Sequence, residues 1–120
     1  MNIAISAQGK TLGSEIDPRF GRASGFLIID TDTMSYKWVD NTQNLNLPQG
    51  AGIQAAQSVS KHNVEVVFTG NCGPKAFKAL EVAKIKVITG VKGTINQAVK
   101  DFLDGKLMVD DEANVEGHWM

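Results

Sequence analysis

The chain has a single cysteine, Cys72, among its 120 residues, so no disulfide can form within it. That suits a reducing compartment. A C-x-x-C pair and any Cys/His spacing of the zinc type are also missing, which excludes an ordinary structural zinc site. Charge of one sign is lacking too: the formal net charge is −1 at pH 7, whereas a general nucleic-acid binder carries a basic excess. No apolar run approaches the roughly 20 residues that cross a bilayer. The opening MNIAISAQGK has neither the charged start nor the long apolar stretch of a secretory signal. A cytoplasmic protein without nucleic-acid or membrane partners is expected. With no internal repeat, no low-complexity tract and an ordinary apolar content, the chain is long enough for one core and too short for two.

What is present comes in short apolar blocks parted by glycine, asparagine and proline. NIAISA (2–7) and GFLIID (25–30) read as strands, the second nearly continuous in apolar character as for burial on both faces. YKWVD (36–40) alternates and forms a hairpin with the strand before it. Residues 51–62 carry Ile53, Ala56 and Val59 near helical spacing. VEVVFT (64–69) is a strand, and 74–83 a helix opened by Pro74, whose missing N–H costs nothing there. KVIT (86–89) is a short strand. Thr94 stands at the N-cap of a third helix that Gly105 ends. His62, at the end of the first helix, suits the negative end of the helix dipole. Residues 1–105 are expected to form the domain and 106–120 a flexible acidic tail.

The order βββαβαβα implies a mixed α/β sheet of five strands in the order 3-2-1-4-5, with right-handed crossovers in its parallel part. Loops 8–24, 41–52, 70–73 and 90–93 then gather at one end of the sheet, beside the switch point between strands one and four. A ribonuclease H-like topology raises the question of nuclease activity, which needs clustered carboxylates. The first strand has none, and Asp30 and Asp40 fall at opposite ends of the sheet.

DPRFGR (17–22) lies in the first of these loops. Its plain reading is a surface loop whose Phe20 plugs the core edge while Arg19 and Arg22 sit in water. Its functional reading is an anion cradle. TGNCGPKAF (69–77) leaves a strand and enters a helix through Gly70 and Gly73, offering N–H groups, a helix dipole and Lys75 to an anion. TGVKGT (89–94) repeats that plan, without the spacing of a P-loop. Cys72, near a helix start, would have its thiol pKa lowered, although a lone cysteine is more often a small buried hydrophobe. His118 lies in the acidic tail beside Trp119, either idle in solvent or able to fold over a site as a metal ligand.

DPRFGR, the run Gly50, Ala51 and Gly52, the GPKAF turn and the TGVKGT turn, taken in this order, resemble the dinitrogenase iron-molybdenum cofactor-binding family over residues 1–105. That family includes nitrogenase cofactor carriers and orange-protein-like small domains that hold a molybdenum–copper–sulfide cluster. The resemblance implies a ribonuclease H-like fold without the nuclease carboxylates. It also implies non-catalytic binding, carriage or storage of an anionic metal–sulfur cluster of iron-molybdenum or molybdenum-copper type, with donor and acceptor proteins as partners. Arg19 and Arg22 would then supply charge, Phe20 an apolar wall, and Gly70, Asn71, Cys72 and Gly73 the N–H donors. Asn41, Asn44, Gly50 and Gly52 would complete the rim, with Cys72 and His118 as optional metal ligands. Members with a histidine-rich C-terminal tail have more than this chain, where only His118 remains. The other readings are a binder of a phosphate-type anionic metabolite, a redox-active thiol protein, and a docking protein with no metal ligand.

Overall fold

In the computed structural model, which describes residues 1–110 and 113, the NIAISA segment forms β1 (Asn2–Ala7), buried from Ile3 onward. It needs apolar side chains on both faces because it lies mid-sheet. β2 (Gly25–Asp30) runs antiparallel to it, from Ala7 opposite Gly25 to Asn2 opposite Asp30. β3 (Tyr36–Asp40) pairs antiparallel with β2, while β4 (Val64–Phe68) and β5 (Lys86–Ile88) add in parallel on the other side. The sheet order is β3-β2-β1-β4-β5, the order expected from the sequence.

Strand alternation sorts the core into two layers. Ala4, Phe26, Ile28 and Val67 face α1 (Ala51–Ser60) and α2 (Pro74–Val82), which contribute Ala55, Ala56, Val59, Ala76 and Leu80. Ile3, Ile5, Leu27, Ile29 and Phe68 face the other way, toward Ile95, Ala98 and Val99 of α3 (Ile95–Leu103). Each large side chain fully buried in this way is worth about 1.5–3 kcal/mol. Because α1 and α2 share one face and both follow strands pointing the same way, their N-termini open at the same end of the sheet.

The local differences from expectation have physical causes. α1 stops at Ser60, before His62, where Asn63 turns into the left-handed region at φ 55°. The His62 imidazole is held below its ordinary pKa by burial, then by Lys37 and Lys61, so the dipole does not make it a cation. A 3-10 turn, Thr42–Asn44, stands where only loop was expected. Of the residues placed in the tail by the sequence, Asp110 bonds to the sheet edge: its N donates to the Val87 carbonyl at 2.7 Å, and the Thr89 hydroxyl bonds its carboxylate.

Candidate functional site

DPRFGR is fixed over the ends of β1 and β4 by polar groups that the strands carry. Ser6 Oγ lies 2.7 Å from the Asp17 carbonyl oxygen and 2.8 Å from Thr69 Oγ1, and Asp17 N donates to the Ser6 carbonyl at 2.8 Å. On one side the loop pairs with the turn after β4: Phe20 N donates to the Asn71 carbonyl at 3.2 Å and Asn71 Nδ2 to the Pro18 carbonyl at 3.0 Å. A Cβ on Gly70 would stand 2.8 Å from Pro18 Cα, and one on Gly21 would stand 2.7 Å from Gly52 N. Glycine is required at both positions by backbone approach. The loop is thereby wedged between the start of α1 and the turn into α2.

Its side chains divide by role. Phe20 is fully buried and packs on Phe26 with ring centroids 5.2 Å apart, so it belongs to the core and gives no wall to a ligand. Arg19 is exposed, and among the described residues its guanidinium has no ion pair or hydrogen bond. Arg22 is half-buried instead: Nη1 donates to the carbonyls of Asn44 at 3.2 Å and Leu45 at 3.1 Å. It braces the neighbouring loop. Asn41 and Asn44, expected on the rim, are buried, and their amides point inward. Asn41 Nδ2 donates to the carbonyls of Gly21 and Ala23 at 3.1 and 2.9 Å, while its Oδ1 accepts from Asn44 Nδ2 at 2.6 Å. They shape the site from beneath.

The three helix starts differ in what they offer. Gly50, at φ 84°, opens α1, whose first helical bond is Gln54 N to the Gly50 carbonyl at 3.1 Å. The N–H groups of residues 51–53 precede that bond and have no intrahelical acceptor. α2 starts in the same way, with Phe77 N donating to the Gly73 carbonyl at 2.9 Å and the N–H groups of Lys75 and Ala76 ahead of it. α3 is closed. Ile95 N donates to the Ser14 carbonyl and Asn96 N to that of Leu12, at 3.0 and 2.9 Å, while Gly90 N and Val91 N are taken by the carbonyls of Gly70 and Thr69. Within the TGVKGT turn the N–H groups of Gly90 and Val91 are spent inside the protein, and the first two of α3 are spent with them, so this turn offers an anion less than the starts of α1 and α2 do.

Cys72 follows the plainer of its two readings, a small buried hydrophobe. It is fully buried, and its thiol is pushed up to about 12, first by burial and then by the charge of Asp110. Desolvation therefore keeps Cys72 a protonated core thiol at neutral pH. Among the described residues no group of three or more His, Cys, Asp and Glu side chains could hold a metal ion. His118 lies outside the described residues.

Two features escaped the sequence reading. One is an open trough of about 410 Å³ beside the starts of α1 and α2, lined by Ile53, Pro74, Lys75, Lys78 and Ala79. Its lining comes from two helices, and only their packing reveals it. The other is Asp17, buried, with Oδ1 accepting the Arg19 N–H at 2.9 Å. Burial raises its carboxyl above the ordinary range, against that hydrogen bond and the charge of Arg19. An Asp two residues ahead of a loop N–H is a turn signal that could have found it.

A sequence profile described as "Dinitrogenase iron-molybdenum cofactor" matches residues 1–105. Among solved structures, the apo form of the orange protein from Desulfovibrio gigas is similar at 46% identity and a TM-score of 0.93, over 95% of this chain and 96% of that one. A Thermotoga protein of the DUF35 family, described as a candidate NifB protein, is similar at 33% identity and a TM-score of 0.82, over 97% and 98% of the two chains. An uncharacterised protein of Methanocaldococcus jannaschii is 29% identical over 97 residues, 78% of this chain and 81% of that protein.

Proposed function

Because this chain belongs to the dinitrogenase iron-molybdenum cofactor family, we propose that it binds and carries an anionic metal–sulfur cluster without transforming it. The observation that carries this reading is the exposed Arg19 guanidinium, without a partner among the described residues, on a loop wedged between the starts of α1 and α2. A charge-assisted hydrogen bond from such a group contributes about 1.5–3 kcal/mol. The helix N-termini add N–H donors and the positive ends of two dipoles. Lys75, exposed in the first turn of α2, adds a second cation.

The donor set favours a cluster that arrives with its own sulfide ligands. The described residues hold no cluster of three or more His, Cys, Asp and Glu side chains, and Cys72 is a buried thiol. A thiometallate is large, polarizable and negative, so arginine, backbone N–H and the apolar floor of Ile53, Pro74 and Ala79 suit it. A phosphate-type ligand is less well served. Compact oxyanions need many converging donors, and the loop spends Arg19 N on Asp17 and Phe20 N on Asn71. Carriage implies donor and acceptor proteins, in the cytoplasm where such clusters are assembled. Molybdenum with iron or copper is the metal content this reading expects.

Anaerobic reconstitution with tetrathiomolybdate, with and without copper or iron salts, followed by desalting, absorbance spectroscopy and metal analysis, tests it. Stoichiometric retained molybdenum with a charge-transfer band is the expected result. No retained molybdenum in any mixture rejects the reading.

A further inference from the structure

The turn that begins DPRFGR needs an acceptor at residue 17 and does not need a charge. Asp17 Oδ1 receives the Arg19 N–H at 2.9 Å, a bond that the carbonyl oxygen of an asparagine would accept equally well. Yet the residue is an aspartate only 7% exposed, in no ion pair among the described residues. Its backbone is fixed on both sides, with N donating to the Ser6 carbonyl at 2.8 Å and its own carbonyl 2.7 Å from Ser6 Oγ. The bond from Arg19 N to Oδ1 holds the carboxylate against the loop. A buried charge with no partner is costly to keep, and burial does raise this carboxyl above its ordinary range.

We propose that Asp17 is a specificity-determining residue that weakens the hold of the site on compact anions, favouring large anions of low charge density. This rests on the cluster-carrier reading above. Asp17 lies two residues from Arg19, well within the roughly 10 Å over which charges act in ordinary salt. It offsets part of the Arg19 charge and repels an incoming anion more strongly the closer that anion's charge can come to it. A sulfide anion, whose larger radius keeps its charge farther from Asp17, loses less than sulfate of the same charge.

Asp17→Asn and Asp17→Ser both keep an acceptor for Arg19 N and remove the charge. Each would be titrated with tetrathiomolybdate by absorbance, and with sodium sulfate through the amide shifts of Arg19, Ile53 and Lys75. In folded variants both anions should bind about tenfold tighter at low ionic strength, with a larger gain for sulfate and a smaller one at high salt. Equal or weaker binding in folded variants overturns the proposal. If neither variant folds, the charge serves folding and the proposal is likewise overturned. If no form binds tetrathiomolybdate while sulfate binding tightens in the variants, Asp17 keeps this role and the cluster reading fails.

Discussion

Arg22 Nη1 donates to the Asn44 carbonyl at 3.2 Å, and this bond separates the two arginines of one short loop. Arg22 also reaches the Leu45 carbonyl, whereas the Arg19 side chain makes no such contact among the described residues. Arg22→Ala should therefore lower stability by about 1–2 kcal/mol, read from chemical denaturation. Arg19→Ala should leave stability within about 0.5 kcal/mol and weaken tetrathiomolybdate binding roughly tenfold. The opposite pattern would exchange their roles.

Asn41 is fully buried and makes three side-chain hydrogen bonds, to Gly21, Ala23 and Asn44. Asn41→Ala leaves two carbonyls and one amide unsatisfied in the interior. The expected loss is about 2–4 kcal/mol, measured as a shift of the denaturation midpoint. Asn41→Asp should be no better, because it cannot donate to the two carbonyls while ionised.

The close approach of Gly21 to Gly52 and of Gly70 to Pro18 is between backbones, which cannot rotate away. Gly21→Ala and Gly70→Ala should each destabilise by about 1–3 kcal/mol. They should also loosen the loop, visible as faster amide exchange at Phe20, whose N–H is held by Asn71.

The Cys72 thiol is raised from an ordinary 9.0 to about 12, so folding favours its neutral form. The sign follows from linkage: this contribution to stability is full below about pH 9 and is lost as pH rises from there toward 12. Cys72→Ala should flatten that part of the stability profile. In the native parent, alkylation by iodoacetamide at pH 8 should be far slower than in the denatured chain. Rapid native alkylation would show a reachable thiolate and return Cys72 to the list of candidate ligands.

Much of the fold is legible in residues 1–105. The bounds of β1, β2 and β3 agree with the apolar blocks, because side-chain alternation and flanking turn residues mark them directly. The strand order agrees with the reading that the first three strands, with no helix between them, are antiparallel neighbours and the later β-α-β units parallel. The site is less legible, since residue type does not say which way a side chain points. Asn41 and Asn44 look like rim donors and are interior braces. Cys72 sits at a helix start, where the dipole alone would lower its pKa, but burial governs. The start of α3 resembles that of α2, but it is closed by carbonyls from the far end of the chain, Leu12 and Ser14. Such partners have no local signature.

The most direct test of the central claim is amide-shift mapping of the isotope-labelled chain as tetrathiomolybdate is added under anaerobic conditions. The account predicts saturable shifts concentrated at Arg19, residues 51–53, Lys75 and Ala76, with the hydrogen-bonded starts of α3 at Ile95 and Asn96 little changed. Shifts centred on α3 or on the β5 edge near Asp110, or none at saturating anion, would contradict it.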